Sequence, residues 1–470
     1  MPPSNAGHPP ASPRSRRHRV GAVLASLACA VGFGWAPAGA QLASSAAHRT
    51  LTAADAVRAA RLTDPDFRAA RHERDAARQD GPIARAGLLP NISLNARYAD
   101  VGGWRDFGGG GVDGPREDLD YRSNGYGVSA RQALYDPEAG ANARVGEAQV
   151  AQAEASFAER ETQLLLRVAI TYLDVALAHG DVVLARSQTR AFTAQQHAAR
   201  RRFELGDGTR TDVADAESRL QTAVANEVDA GVALQIARRV LEQVTGEPSA
   251  DTPRLRIDQE GPSGEPASET RWRELALERN PAVRAQREAQ RAAGFAVDRA
   301  RGARLPKLDL VASLNRATSD SVPTLNQDTL QRVAGLQVSL PLFVGGELQA
   351  RERQAASRHE RERASVEAVV NAVLLDVRRH FAAVEGSVAK LAALRRAAAS
   401  AEVAARGADA GFRAGTRSFW EVLEAQRRQF VAERDLTRAM RDALVAQISL
   451  QAAAGVLDDA AVASLDGYFR

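Results

Sequence analysis

Asp64-Pro65 is followed 25 residues later by Leu89-Pro90, and Asn280-Pro281 is followed 25 residues later by Leu305-Pro306. Further along, Gly411-Phe412-Arg413-Ala414-Gly415-Thr416-Arg417-Ser418-Phe419-Trp420-Glu421-Val422-Leu423-Glu424-Ala425 answers an earlier stretch. Phe203-x-x-Gly206 matches Phe412-x-x-Gly415, and Asp212, Asp215, Ala216 and Arg219 match Glu421, Glu424, Ala425 and Arg428, all at an offset of 209. Self-similarity of this kind marks a duplicated structural unit. The period is too long for a solenoid and fits two pseudo-symmetric halves of one body.

Each half reads in the same order: helix, strand, loop, strand, very long helix, turn, helix. In the first half a helix is expected from about Thr52 to Arg85, ended by Leu89-Pro90. Ile92, Leu94, Ala96 and Tyr98 then alternate, which is the period of a strand. The Gly- and Asp-rich segment from Val101 to Ser123 reads as a surface loop, and Tyr126, Val128 and Ala130 mark the returning strand. Asp136-Pro137 opens a helix running to about Leu205, Gly206-Asp207-Gly208 turns the chain, and a helix follows from about Thr211 to Val244. In the second half the helix spans about Arg271 to Arg301. Leu308, Leu310, Ala312 and Leu314 lie on the next strand, Thr318 to Thr329 form the loop, and Leu336, Val338 and Leu340 return. Helices from Glu347 to Phe412 and from Ser418 to Ala454 complete it.

A helix of about 66 residues spans roughly 100 Å. It must lie beside other long helices, and the two shorter helices of each half, stacked end to end, match it in length. Leu164, Val168, Tyr172 and Val175 repeat at three- and four-residue spacing among alanines, the pattern of a narrow packing seam.

The first 40 residues read differently. Arg14, Arg16, Arg17 and Arg19 precede an apolar run from Val20 to Trp35, and Ala38-Gly39-Ala40 offers a cleavage site. This is the layout of an export signal. The single cysteine, Cys29, lies inside the run, with Leu27 out of register for lipidation, so the mature chain is expected to have no thiol chemistry. The net charge of +4 is small for 470 residues. Arg and acidic residues alternate along the helices as on solvated faces, which gives no case for nucleic acid.

No mature segment has about 18 consecutive apolar residues, the length a spanning helix needs. The strands, however, are long enough to cross a membrane when tilted. Four cannot close on themselves, and an open edge is not tolerated in lipid, so a spanning barrel must be shared among chains. The competing reading is two surface hairpins on a periplasmic coiled-coil scaffold with no pore.

Taken in order and twice over, these markers resemble the TolC-type outer-membrane factors across residues 50 to 456. Leu134-Tyr135-Asp136 against Leu342-Phe343-Val344-Gly345-Gly346 and the stretch 411 to 425 add to them. The resemblance implies a mainly α fold with a membrane β-barrel: a duplicated helix-strand-strand-long helix-helix unit, three chains closing a twelve-stranded barrel on a long helical periplasmic tunnel. The implied organisation is a signal peptide at 1–40, a first repeat at 41–246, an inter-repeat linker (the equatorial region) at 247–270, a second repeat at 271–456 and a C-terminal tail at 457–470. The implied setting is the outer membrane and its lipid, with the body reaching into the periplasm.

The implied partners are two further copies of the chain, a periplasmic adaptor and an inner-membrane ABC transporter, for type I export of a protein, an adenylate cyclase toxin (cyclolysin) being one such cargo. The same duct could instead serve a proton-driven pump for small-molecule efflux. Members dedicated to efflux often carry a lipid anchor, which this sequence does not show.

In this family the periplasmic tip is the gate. Carried over by motif, Asp212, Glu421 and Glu424 fall on carboxylate positions of the entrance, and Thr211, Phe412 and Arg417 on gate-bond positions. The family usually has Tyr where Phe412 stands, so its hydroxyl bond is lost, and Glu replaces Asp at Glu421 and Glu424. A plainer reading competes. Ser418-x-x-Glu421 is a capping box and Thr209-x-x-Asp212 is nearly one. Capping does not account for Glu424, one turn on from Glu421, and Arg417 also reads as a solvated turn residue.

The sequence offers no catalytic constellation, and neither a cofactor nor a metal is expected. His72, His179, His197, His359 and His380 are scattered without ligand spacing. Gly108 to Gly111 is followed by no Lys-Ser/Thr and reads as part of an extracellular loop, not a phosphate loop.

Overall fold

The computed structural model describes residues 51–106, 116–248, 255–256, 268–319 and 322–469. The export signal at 1–40, the Gly108 to Gly111 run and most of the 247–270 linker lie outside the described residues.

The chain begins with α1 (Ala53–Thr63), α2 (Pro65–Ala77) and α3 (Asp80–Arg85). The single opening helix expected from Thr52 to Arg85 is thus broken. The cause is local: a residue before proline is pushed out of the helical region, and Asp64 sits at ψ 119°. Its carboxylate accepts from Phe67 N at 2.8 Å and so restarts the helix. The second half breaks in the same way between α6 (Glu269–Arg279) and α7 (Pro281–Gly302), where Asn280 Oδ1 accepts from Ala282 N and Val283 N.

The strands β1 (Asn91–Asp106) and β2 (Arg116–Tyr135) pair in register from Asn91↔Arg131 to Asp106↔Arg116. The expected loop from Val101 to Ser123 is therefore mostly paired strand. Its charges are matched across the ladder, as in Arg105–Glu117 and Asp100–Arg122, and Arg116 lies over the Trp104 ring. With β3 (Lys307–Thr318) and β4 (Asp328–Ser339) they make one antiparallel sheet in the order β1-β2-β3-β4. Both outer strands are open.

Between the strand pairs run α4 (Pro137–Glu204) and α5 (Arg210–Thr245), and after β4 come α8 (Glu347–Arg413) and α9 (Phe419–Ala453). At 68 residues, α4 is about 100 Å long. Along its length α4 is flanked by α1, α2, α3, α5, α7 and α9, and α8 is flanked by α6, α7 and α9. One stretch of α4 is long and apolar enough by composition to cross a membrane. Its Leu164, Val168, Tyr172 and Val175 are buried instead, packed with Ala53, Val57, Leu241, Leu444 and Ile448.

The C-terminal segment joins this core through α10 (Asp459–Ala463), with Leu457, Val462 and Leu465 buried. Asp466 accepts from Ala53 N at 2.8 Å, Leu255 bridges Phe469, and the Phe469 ring stands edge-on to Tyr172 at 5.0 Å.

Candidate functional site

The alternation along the strands gives the sheet two unlike faces. Ile92, Leu94, Tyr98, Tyr126, Leu310, Leu336 and Val338 project to one side, with Ile92 70% and Leu94 73% exposed. The register keeps them aligned: Leu94 faces Val128, Val128 faces Leu314, and Leu310 faces Leu336. The opposite face is polar. There Ser93 and Ser129 share a hydrogen bond of 2.8 Å, and Arg131 reaches the buried Asp309 at 2.6 Å. An uncovered apolar band on a polar-backed sheet suits lipid on one side and water on the other.

At the far end of the long helices lie two turns. Gly206 (φ +84°) and Gly415 (φ +75°) adopt the left-handed conformation that ends α4 and α8. Thr209 then caps α5, accepting from Asp212 N at 3.1 Å while Asp212 Oδ2 accepts from Thr209 N at 3.1 Å. Ser418 and Glu421 do the same for α9: Glu421 N donates to Ser418 Oγ at 3.3 Å and Glu421 Oε2 accepts from Ser418 N at 2.7 Å. Both capping boxes are complete. The Ser418 backbone N–H, followed by its hydroxyl, holds the Glu421 carboxyl below the usual range.

Glu424 has a different occupation. Arg427 binds it through two bonds at 2.8 and 3.0 Å, and Arg428 adds a third at 3.3 Å. Hydrogen bonding from Arg427, then the charge of both arginines, hold its carboxyl down at about 2. Its charge is balanced on its own helix, through the i+3 and i+4 spacing the sequence already contains.

Phe412 packs against Phe419, ring centroids 5.7 Å apart, and lies beneath the Arg202 guanidinium at 4.9 Å. Phe419 and Leu423 are buried against Phe192, Ala199, Ala216 and Ala223, so the two helical hairpins share one small apolar cluster at their tips. Arg219 lies 4.4 Å over Trp420 beside it. Thr211 and Arg417 are exposed. The Arg417 stem crosses the bare face of Gly411, where an added Cβ would stand 3.0 Å from Arg417 Cγ.

Of the six positions expected at the gate, Phe412 bridges the hairpins, Asp212 and Glu421 cap helices, and Glu424 is ion-paired within α9. No hydrogen bond or ion pair among the described residues joins Thr211 or Asp212 to Arg417, Glu421 or Glu424 within one chain. The ties that sequence reasoning missed are Arg202 on Phe412 and Arg219 on Trp420. Aromatic and arginine side chains at equivalent heights of neighbouring helices carry no periodic signal, so nothing in the sequence pointed to them.

The two-faced sheet on long coiled helices defines a membrane-channel subunit. Comparison with known proteins agrees. The model of the outer membrane efflux protein family matches residues 56–247 and 272–456. The alkaline protease secretion protein AprF of Pseudomonas aeruginosa is 35% identical, over 84% of this chain and 83% of its own. The proteases secretion protein PrtF of Dickeya chrysanthemi is 30% identical, over 88% of this chain and 90% of its own. The solved structure of CusC superposes with a TM-score of 0.73 at 19% identity, covering 88% of this chain and 95% of that one. This chain belongs to the outer membrane efflux protein family. It is a TolC-type outer-membrane channel protein, not an enzyme, and its body extends into the periplasm.

Proposed function

We propose that three copies of this chain form the exit duct of a type I secretion system, working with a periplasmic adaptor and an inner-membrane ABC transporter to export a protein. The observation that carries the reading is the four-stranded sheet: apolar on one face and unpaired at both β1 and β4. In lipid those edges must be satisfied by other copies, and known single-chain barrels begin at about eight strands. Two relatives named for protease secretion support protein export over small-molecule efflux. They also lend a protease cargo support that an adenylate cyclase toxin does not have.

The gate in this reading is the pair of hairpin tips carrying Thr211, Asp212, Phe412, Arg417, Glu421 and Glu424. The capping boxes hold the first turns of α5 and α9 firm, while Phe412 ties one hairpin to the other. Light scattering of detergent extracts should report three chains per particle, and a stable monomer in bilayers would count against the shared barrel. Expression in Pseudomonas aeruginosa lacking AprF should restore alkaline protease in the medium. Restored drug resistance without secretion would favour the efflux duct. Absence of bilayer conductance would favour a scaffold.

A further inference from the structure

The apolar face of the sheet contains an unexplained charge. Along β4 that face carries Leu330, Ala334, Leu336 and Val338, and among them stands Arg332, the one charged residue between Leu330 and Val338 on that side. Arg332 is exposed, and its guanidinium has no hydrogen bond or ion pair among the described residues. Leu314 lies directly opposite it, and Arg316, two residues along β3, is its diagonal neighbour. Diagonal neighbours are about 7–8 Å apart, within reach of two long side chains. Asp328 holds Arg316 through Nε at 3.0 Å and through Nη2, and Tyr126 faces Arg316 from β2.

The height of Arg332 follows from the strand ends. It stands seven residues from Ser339, the periplasmic end of β4, whereas Leu94 stands three from Asn91, the periplasmic end of β1. At about 3.4 Å per residue and a tilt of about 40°, seven residues climb roughly 18 Å of a band about 25 Å tall. Arg332 thus lies in the outer third, where a snorkelling stem brings the guanidinium to the headgroup level. Arg316 and Tyr126 lie nine residues from the periplasmic ends of their own strands, at the outer rim. A cation facing lipid is costly without a counter-charge. The strand edge that another copy would bring to β4 offers none. On this face β1 shows Ile92, Leu94, Ala96 and Tyr98, and its first carboxylate, Asp100, is already paired with Arg122 at 3.4 Å.

Resting on the reading that this face meets lipid, we propose that Arg332 and Arg316 form a phosphate site for the phosphorylated glycolipid of the outer leaflet. A guanidinium presents a planar fork of donors that matches two phosphate oxygens, and it is less strongly hydrated than an ammonium, so it suits a headgroup at the edge of the hydrocarbon. Asp328 offsets one of the two cations, so one positive charge per copy stays for the phosphate. Leu314 and Leu330 beside the pair give the acyl chains an apolar surface, and Tyr126 stands at the level where amphipathic rings meet headgroups.

The test is lipid binding to the purified protein in detergent, read by native mass spectrometry. The probes are diphosphoryl lipid A, its dephosphorylated form, phosphatidylglycerol and inorganic phosphate. Diphosphoryl lipid A should bind about tenfold more tightly than the dephosphorylated form, as one charge-assisted hydrogen bond allows. Arg332→Gln should remove about that factor, and Arg332→Lys should keep part of it. Arg97→Gln, on the opposite face of the sheet, should change nothing. Inorganic phosphate should not displace the lipid. A wild-type protein that does not discriminate between the two forms of lipid A overturns the site, with no variant needed. So do equal retention of phosphatidylglycerol, displacement by inorganic phosphate, and unchanged binding in a folded Arg332→Gln oligomer. A protein that does not insert into lipid bilayers overturns instead the lipid-facing reading of the sheet.

Discussion

The Arg202 guanidinium carbon stands 4.9 Å above the centre of the Phe412 ring, so a cation on an aromatic face ties the last turn of α4 to the last turn of α8. Phe412 in turn leans on Phe419 at the start of α9. Three of the helices that meet at the tip are thereby connected through one ring.

A cation over an exposed aromatic contributes about 0.5–1 kcal/mol. Arg202→Gln and Phe412→Leu should each destabilise the protein, and a double-mutant cycle by chemical denaturation should return a coupling of about that size. Phe412→Tyr keeps the ring and should keep the coupling. Both disrupting variants should also raise the conductance of the closed channel. Additive effects, with no coupling, would mean the ring and the guanidinium are merely neighbours.

Glu424 has its carboxyl held at about 2 instead of the ordinary 4.5. The folded protein therefore binds fewer protons than the unfolded chain between those values, and the interaction stabilises it fully only above about 4.5. Compared with Glu424→Gln, the wild type should gain this advantage as pH rises through that window and lose it as pH falls toward about 2. Thermal melts of both proteins across the window check the sign. A constant difference would show that the arginines give the carboxylate no special environment.

The sheet's two faces should respond oppositely to charge. Leu94→Arg places a cation in the apolar band, where the cost at mid-membrane is about 2–4 kcal/mol. Asn95→Arg, one residue on, points to the polar side and should be tolerated. The yield of folded oligomer in outer-membrane extracts is the readout. Equal losses would contradict the assignment of the faces.

Asp64 is buried, caps α2 and meets Arg167 at 2.7 Å. Asp64→Ala loses both interactions and should cost about 1–3 kcal/mol, less than the about 3–5 kcal/mol for breaking a fully buried pair because Arg167 remains partly exposed. Asp64→Asn retains the cap and should recover part of the loss. Urea denaturation of the two variants separates cap from charge.

The β1–β2 pair continues beyond Tyr98 and Tyr126 as a charged ribbon to Asp106↔Arg116. A tag inserted at Gly110 should therefore be detected on intact cells. Detection only after the outer membrane is ruptured would reverse the topology.

Much of this protein was decided within a few residues of each position. Asp64-Pro65 and Asn280-Pro281 interrupt helices because a proline restricts the residue before it. Ser418 and Glu421 close a capping box because three residues of helix bring them together. Glu424 finds Arg427 and Arg428 through the same short reach. The strand faces follow from a period of two, and the seam Leu164, Val168, Tyr172, Val175 from a period near 3.6. These are local consequences of backbone geometry, and the sequence by itself determined them. Arg202 on Phe412, Arg219 on Trp420, the docking of Leu457, Val462 and Leu465 beside α1, and the pairing of Gly- and Asp-rich segments as strands were decided only by the tertiary structure. All but the hairpin join residues far apart in the chain. Their meeting depends on how one helix is rotated and shifted against another, or on a partner strand whose charges happen to match, and no local period encodes that.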